Sequence, residues 1–445
     1  MIIKQFEYKP LAHFSYAILS EKTNELVLVD PARDPQPYYD FARQHNAAIV
    51  AVIETHPHAD FVSSHLEIAQ KTGAVIYTSQ LAQAKYPHQA FDDLSVLSIG
   101  ELVLKALNTP GHSPDSISIV LENEGNDYAV FTGDTLFIGD CGRPDLREEA
   151  GSQTASREEL AQAMYHSLNN KLKSLAEDVI VYPAHGAGSL CGKSLKDAQQ
   201  STIGEEKNSN WSLQEMPETE FVYALLEDQP FIPAYFGFNV QLNLEGANPY
   251  KSSVEAIQLI EQPTSELLED SITIDGRNKD LFKESHLPHS INLMTTGSFE
   301  TWLGTLVKPE ESFYVTAGDK ETLLLMIKRA AAIGYEQFIE AAFIFQEGKE
   351  EMPVLDLDFF KDHKAAFTIV DVRNDAEVKA GKIFPESIAI PLSELMERKN
   401  EIPTDKPIVV HCAGGFRSAA ASSILSDQLD KGVQIFDLSE HIKKF

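Results

Sequence analysis

Six side chains that are able to bind a metal ion stand in four short polar clusters of the sequence. The first cluster alone supplies three of them, in the run His56-x-His58-x-Asp60. Imidazole nitrogens and carboxylate oxygens are common ligands of catalytic zinc and non-haem iron. Because buried polar groups need partners, a set of this size is hard to explain as packing alone. We therefore expect a metal site drawn from His56, His58, Asp60, His112, Asp134 and His185.

Several short apolar runs, each typical of a β-strand, lead into these clusters. Active-site residues collect at strand ends, because the loops there place side chains while the sheet holds them rigid. A helix is expected over 157–176, and the polar stretch 205–250 is expected to end a domain and serve as a connector. The predicted strands are Ile49–Ile53, Val75–Tyr77, Leu102–Leu107, Ile117–Leu121, Tyr128–Thr132 and Val179–Tyr182.

The four clusters resemble the motifs of the metallo-β-lactamase superfamily over about residues 1–245. They read THPHAD at 55–60, TPGHS at 109–113, TGDTLF at 132–137 and PAHG at 183–186. The resemblance implies an αββα sandwich. Dinuclear zinc hydrolases of that superfamily carry a further histidine directly after the aspartate of the first motif, where this chain has Phe61. Phenylalanine cannot bind a metal, so we expect one metal ion.

A two-histidine, one-carboxylate ligand set with open positions is what ferrous oxygenases use to bind O₂ and substrate side by side. The closer resemblance is to the persulfide dioxygenases of this superfamily, through GDTLF at 133–137 and CGRPD at 141–145. That resemblance implies one Fe(II) per chain on His56, His112 and Asp134. It also implies that three further residues orient the ligands and hold water: His58, Asp60 and His185.

The same resemblance suggests which residues line the substrate pocket. Arg143 is expected to hold the anionic end of the substrate, with a structural salt bridge as the alternative. Glutathione-specific members carry a tyrosine shortly after the PAH histidine, whereas residues 186–188 here read Gly-Ala-Gly, so no particular thiol is implied. The run GSLCGK at 188–193 looks like the variant found in dioxygenase–sulfurtransferase fusions. Cys141 and Cys191 are candidate pocket thiols, with an inert buried role as the alternative.

The last part of the chain contains an internal repeat. Residues 274–278 (IDGRN) match residues 370–374 (VDVRN) at an offset of 96 positions. Both copies read as strand, helix and strand, which indicates two α/β domains, each with a parallel sheet flanked by helices. We expect these domains at 251–350 and 355–445.

A cysteine lies between an apolar strand and a helical run in the second copy. Cys412 follows Ile408–Val410, and backbone N–H groups and the helix N-terminus would face its sulfur. Such positions lower a thiol pKa from about 8.5 to about 3.5–7.5 and give a nucleophilic thiolate. Arg417 adds fixed positive charge. The remaining loop residues that would surround the sulfur are Ala413, Gly414, Gly415, Phe416 and Ser418.

This loop resembles the active loop of the rhodanese sulfurtransferases, accompanied by the motif Asp371-Val372-Arg373. Cysteine phosphatases of similar design have five residues between cysteine and arginine, whereas four separate Cys412 from Arg417. The shorter loop fits sulfur better than phosphate. The first copy has no cysteine, and its equivalent loop falls near 315–319, so we expect a non-catalytic copy.

Together these sites predict an enzyme that oxidises a low-molecular-weight thiol persulfide with O₂ to sulfite and thiol. Sulfur transfer through Cys412 would then join sulfite with a second sulfane sulfur to give thiosulfate, in sulfide or persulfide detoxification. Two alternatives stay open. One is a zinc-dependent thiolester hydrolase of the glyoxalase II kind fused to a sulfurtransferase. The other is a sulfur carrier with a vestigial metal domain.

Composition excludes other classes of function. The 445 residues carry 37 basic and 67 acidic side chains, a net charge of -30, which repels nucleic acid and anionic membranes. No signal peptide or apolar run of membrane-spanning length is visible. Three scattered cysteines do not form a disulfide framework. We therefore expect a cytoplasmic enzyme, assembled as a homo-oligomer, without nucleic-acid or membrane partners.

Overall fold

The structure is a computed structural model, and it describes residues 1–148, 151, 155–264, 268, 271–430 and 432–445. The chain divides into two compact units. The first comprises 1–253 with 331–334, and the second comprises 254–330 with 335–445. Within the described residues, no helix is both long and apolar enough to cross a bilayer.

The first unit contains two six-stranded sheets. The strands of one sheet are β1 (Ile2–Tyr8), β2 (His13–Ser20), β3 (Glu25–Val29), β4 (Ala48–Ile53), β5 (Val75–Thr78) and β6 (Gln89–Ala90), in that spatial order. The strands of the other are β7 (Val96–Ile99), β8 (Leu102–Asn108), β9 (Ile117–Asn123), β10 (Asn126–Gly133), β11 (Ile180–Pro183) and β12 (Ser201–Thr202), in the order β12-β11-β10-β9-β8-β7.

The two sheets pack face to face with helices on their outer sides. Ile53 and Phe131 belong to the apolar layer between the sheets. Tyr38 packs on the outer face of the first sheet, and Met164 packs on the outer face of the second. This arrangement confirms the αββα sandwich. The helices of this unit are α1 (Gln36–Gln44), α2 (His65–Thr72), α3 (Arg157–His166), α4 (Ile203–Ser209), α5 (Glu218–Leu226), α6 (Phe236–Glu245) and α7 (Tyr250–Glu255, whose last two residues fall in the second unit).

Two four-stranded parallel sheets make up the second unit, with the orders β14-β13-β15-β16 and β18-β17-β19-β20. The strands are β13 (Ile272–Asp275), β14 (Ser290–Asn292), β15 (Phe313–Ala317), β16 (Ile339–Ile344), β17 (Thr368–Asp371), β18 (Ile388–Ala389), β19 (Ile408–His411) and β20 (Ile435–Asp437). The helices are α8 (Lys279–Glu284), α9 (Phe299–Leu306), α10 (Lys320–Ala332, whose last two residues fall in the first unit), α11 (Leu357–Asp362), α12 (Asp375–Ala380), α13 (Leu395–Arg398) and α14 (Phe416–Gln428).

The two parallel sheets have the same strand order, which explains the sequence repeat. Arg277 is paired with Asp275 at 2.6 Å, and Arg373 is paired with Asp371 at the same distance. Each pair stands at the end of the second strand of its sheet, where a buried carboxylate needs a cation. The repeated Asp-x-Arg motif therefore has a structural role in both copies.

The helical stretch predicted over 157–176 is confirmed in outline, with a change of helix type along it. Within 157–176 the regular α-helix ends at His166. A π-helical turn, Ser167–Lys171, follows it directly. Serine and asparagine favour the helix interior weakly, and Asn169 Nδ2 donates a hydrogen bond to the Tyr165 carbonyl at 2.9 Å. The stretch 205–250 was expected to end a domain and to serve as a connector. The first unit does end its main segment at Ser253, but the connector was wrong, because this stretch is largely helical and its apolar residues pack against the sandwich.

Candidate functional site

Each cluster of candidate ligands follows a strand of the sandwich. His56 follows β4, His112 follows β8, Asp134 follows β10 and His185 follows β11. All four side chains are buried. One donor atom each from His56, His112 and Asp134 lies within 4.8 Å of the others, which is close enough for one cation to reach all three.

Hydrogen bonds leave the inward-facing atoms of this trio available. His112 Nδ1–H donates to the Arg143 carbonyl at 2.8 Å, which fixes the tautomer whose Nε2 has a free lone pair. That Nε2 lies 3.5 Å from Asp134 Oδ2, and His56 Nε2 lies 3.9 Å from the same oxygen. Neither His56 Nε2 nor Asp134 Oδ2 has a hydrogen-bond partner in the structure. Buried polar atoms without partners are costly, so the trio fits a metal ion between them.

The charge states of these residues also suit metal binding. Burial lowers the pKa of His56 and His112, so both rings are neutral at pH 7, the form that binds metals. Burial opposes ionisation of Asp134, but His185 and His112 hold the pKa of that carboxyl well below its usual range. The trio therefore offers two neutral imidazoles and one carboxylate.

His185 bridges two carboxylates next to the trio. Its Nδ1 lies 2.9 Å from Asp134 Oδ1, and its Nε2 lies 2.7 Å from Asp60 Oδ2. Burial alone would lower the pKa of His185, but the two carboxylates raise it well above its ordinary value, so the ring carries both protons. Both nitrogens of His185 are therefore occupied by carboxylates in this structure.

Phe61 occupies the position that is histidine in the dinuclear hydrolases. The side chain is buried, and its ring centroid lies 3.8 Å from that of His13 and 4.3 Å from that of His58. His58 packs against Phe61, and its Nε2 lies 3.2 Å from Asp30 Oδ1. The Nδ1 atom of His58 has no hydrogen-bond partner in the structure.

Sequence reasoning missed a carboxylate beneath the first motif. Asp30 accepts hydrogen bonds from the backbone N–H of Thr55 at 2.7 Å and from its hydroxyl at 2.8 Å. That hydroxyl is 3.1 Å from His56 Nδ1, so Asp30 supports the ligand through Thr55. Asp30 directly follows β3, and this strand-end position was the signal that could have found it.

Arg143, predicted to hold the substrate, is occupied by other partners in this structure, so its substrate role stays a prediction that these contacts disfavour. The side chain is 1% exposed, and its Nε and Nη2 hold Asp145 at 2.7 and 2.8 Å. The remaining donors reach the backbone carbonyls of Leu190, Phe231 and Pro230. All five N–H groups of the guanidinium are used, so none is left for a ligand. Arg143 ties three loops together and presents its carbonyl to His112.

The two candidate pocket thiols have different surroundings. Cys191 forms a second group of possible metal donors with Asp60 and His185, so it lies at the site. Cys141 packs in the apolar cluster between the second sheet and α3. Burial raises the pKa of both thiols well above its ordinary value, which keeps them protonated.

The loop of Cys412 has the geometry of an anion cradle. Cys412 follows β19 and is buried, and the Gly415 N–H donates to its Sγ at 3.1 Å. Gly415 has a φ of +97°, which favours glycine, and α14 begins at the next residue. Ala413 and Gly414 are exposed and form the open side of the loop.

Arg417 is not a free cation in this loop. Both of its terminal nitrogens are bonded to the Glu377 carboxylate, one of them at 2.8 Å. Burial opposes the shift, but Glu377 and the nearby Cys412 raise the pKa of Arg417 above its ordinary value. The ion pair therefore fixes Arg417 beside the sulfur.

Strand register identifies the residue that replaces Cys412 in the first copy. His411 pairs with Asp371, and Thr316 pairs with Asp275 in the same way. The residue after Thr316 is Ala317, so a buried alanine stands at the position of Cys412. The described part of the first copy accordingly has no nucleophile at this position.

The fold and the four motif loops define an αββα metallohydrolase-like domain, and comparison with known proteins agrees. The metallo-beta-lactamase superfamily model matches residues 8–185, and the rhodanese-like domain model matches residues 356–445. A crystal structure of a metallo-beta-lactamase from Staphylococcus aureus is 31% identical with a TM-score of 0.69, covering 78% of this chain and 99% of that chain. The chain belongs to the metallo-β-lactamase superfamily and carries a rhodanese-like domain at its C-terminal end.

Curated relatives have two different activities. The cytoplasmic hydroxyacylglutathione hydrolase of Arabidopsis thaliana is 34% identical over 176 residues, which are 39% of this chain and 63% of that protein. The human mitochondrial persulfide dioxygenase ETHE1 is 30% identical over 175 residues, again 39% of this chain and 63% of that protein. The chain thus spans less than two thirds of the length of either relative.

Proposed function

We propose that this protein is a mononuclear Fe(II) persulfide dioxygenase coupled to sulfur transfer through Cys412. The observation that carries the proposal is the buried trio His56, His112 and Asp134, whose donor atoms converge and of which His56 Nε2 and Asp134 Oδ2 lack hydrogen-bond partners among the described residues. The buried Phe61 beside His58 supports a single metal, because phenylalanine cannot bind one. Two histidines and one carboxylate with open positions suit a ferrous oxygenase. The similarity to the human persulfide dioxygenase supports the same activity.

Ferrous iron, when bound, would bring O₂ and the persulfide sulfur together at one centre. His56, His112 and Asp134 would hold it, and His185 would keep Asp134 oriented through its other oxygen. Persulfide, O₂ and water give thiol, sulfite and two protons, so that RSSH + O₂ + H₂O becomes RSH + SO₃²⁻ + 2H⁺. The outer sulfur is oxidised, and the S–S bond breaks.

The second step uses Cys412 as a nucleophile. Its thiolate attacks the outer sulfur of a second persulfide, the new S–S bond forms on Cys412, and the thiol leaves as RS⁻. Sulfite then attacks the outer sulfur of the deprotonated enzyme persulfide, giving thiosulfate and regenerating the thiolate. The Gly415 N–H and the N-terminus of α14 face the charge that develops on sulfur. Arg417, fixed by Glu377, adds positive charge next to it.

A zinc-dependent thiolester hydrolase is the competing function. The Arabidopsis relative favours it, and so does the unpartnered Nδ1 of His58, which could join His56 and His112 in a three-histidine zinc site. Phe61 and the doubly bonded His185 count against it, because together they disfavour a second zinc ion.

Substitution of Cys412 tests the coupling of the two steps. Cys412→Ser in the full chain should keep persulfide-dependent oxygen uptake and should release sulfite in place of thiosulfate. The wild-type chain, assayed in parallel, should release thiosulfate. Unchanged thiosulfate production by the variant, with sulfite and thiosulfate both quantified, would refute the two-step scheme.

A further inference from the structure

The copy without a nucleophile makes close contact with the helix that starts at the Cys412 loop. Asn292 N–H donates to Ser423 Oγ at 3.0 Å, and His289 Nδ1 lies 3.0 Å from the Asp427 carboxylate. Both acceptors are on α14, and both donors are on or next to β14. The first copy thus holds α14 at two points along its length.

A third contact reaches the start of α14. Ser418, the last residue of the loop, donates its hydroxyl to Asp437 Oδ1 at 2.6 Å. The Asp437 side chain is fully buried, and its other oxygen lies 2.9 Å from Lys283 Nζ. Lys283 is on α8 of the first copy and also donates to Ser439 Oγ at 3.0 Å. A buried carboxylate without a cation is strongly unfavourable, so Asp437 depends on Lys283.

The segment held by these contacts also touches the sulfur cradle directly. A Cβ built on Gly415 would lie 2.9 Å from the backbone nitrogen of Glu440 and 3.0 Å from the carbonyl carbon of Ser439. Residues 439–440 therefore pack against the glycine whose N–H donates to Cys412. Lys279 of α8 binds Glu440 at 2.9 Å, which adds a second link from the first copy.

We infer that the first copy is part of the Cys412 site, and that Lys283 is a positioning residue which acts through Asp437. Lys283 holds Asp437 in place, Asp437 orients Ser418, and the packed segment 439–440 fixes Gly415. The backbone N–H groups of the loop then remain directed at the Cys412 sulfur. The inference rests on the proposed sulfur transfer for its use, but the reactivity of Cys412 can be measured without that reaction.

The test compares Lys283→Met, Lys283→Arg and the control Lys361→Met in the full chain. Lys361 is a half-exposed lysine on α11 that lies 3.5 Å from Asp358. The rate of Cys412 alkylation by iodoacetamide is followed by mass spectrometry from pH 5 to pH 10, together with thiosulfate formation from persulfide and sulfite. Lys283→Met should move the half-maximal alkylation pH upward by about one unit and slow thiosulfate formation about tenfold. Lys283→Arg should restore most of the alkylation profile and most of the rate of thiosulfate formation. Lys361→Met should match the wild type in both measurements.

An unchanged alkylation profile in Lys283→Met would overturn the inference. If the melting temperature of this variant fell while its alkylation profile stayed unchanged, Lys283 would have a merely structural role. If Lys283→Met does not fold, Ser418→Ala removes the other end of the same chain of contacts and should move the profile in the same direction. Failure of the wild type to form thiosulfate would refute the proposed function, while the alkylation profiles would still decide the inference.

Discussion

His185 donates a hydrogen bond of 2.9 Å from Nδ1 to Asp134 Oδ1, and this contact orients the carboxylate. It leaves Asp134 Oδ2 facing His56 and His112. The other nitrogen of His185 lies 2.7 Å from Asp60 Oδ2, so both ring nitrogens are occupied in this structure. We therefore expect these contacts to favour one metal ion at the trio and to disfavour a second.

Removal of Asp134 tests which atoms bind the metal. Asp134→Ala should abolish stoichiometric iron binding, because two neutral imidazoles then face a site without charge. His58→Gln, the matched variant of a neighbouring residue, should weaken iron affinity by about 10–100-fold and still allow full loading. Metal content after anaerobic loading and dialysis gives both results. Loss of metal in His58→Gln with retention in Asp134→Ala would point to a three-histidine site.

Phe61 is expected to limit the site to one metal. Phe61→His supplies the missing imidazole, and zinc-supplemented protein should rise from one toward two metal ions per chain. Phe61→Leu opens space without adding a ligand and should stay at one. Elemental analysis of the two variants separates ligation from volume. Two zinc ions in Phe61→Leu would show that the ring does not control the second position.

Arg143 is expected to stabilise the fold without binding substrate. Arg143→Lys removes most of the hydrogen bonds to Asp145 and to the three carbonyls, which should cost about 3–5 kcal/mol of the free energy of unfolding. The folded fraction should keep a KM for persulfide within about twofold of the wild type. A tenfold rise in KM with an unchanged free energy of unfolding would instead support a substrate-binding role for Arg143.

His411 should make the second unit sensitive to acid. Burial lowers the pKa of His411 from 6.5 to about 4, although Asp371 opposes the shift. The unfolded chain binds the proton more readily than the folded one, so stability is complete above pH 6.5 and falls as the pH drops toward 4. The loss reaches about 3 kcal/mol. Urea unfolding at pH 7.5 and pH 5 should show this difference in the wild type and a smaller one in His411→Asn. Equal pH dependence in both proteins would contradict the assignment.

The sandwich fold and the residues near the trio could be predicted because their signals are local. Each candidate ligand follows an apolar strand, so the sequence alone places His56, His112 and Asp134 at strand ends of the sheets. Phe61, which follows Asp60 in the first motif, could be interpreted from its residue type alone, because phenylalanine cannot bind a metal.

What could not be predicted depends on contacts between distant segments. Arg143 looked like a free cation because the carbonyls that occupy it come from residues about 47–88 positions later. Lys283 and Asp437 are 154 positions apart, and neither stands in a recognisable motif. The π-turn after His166 arises from weak helix formers whose side chains compete for backbone carbonyls, and periodicity does not reveal such a competition.

Oxygen uptake is the most direct test of the central claim. The chain is purified without oxygen, its metal content is determined, and a low-molecular-weight persulfide is added to the same sample in an oxygen electrode. The account predicts about one iron per chain and persulfide-dependent uptake, with one O₂ consumed for each sulfite formed or trapped as thiosulfate. Two zinc ions per chain and no uptake, with hydrolysis of a thiolester substrate, would contradict it.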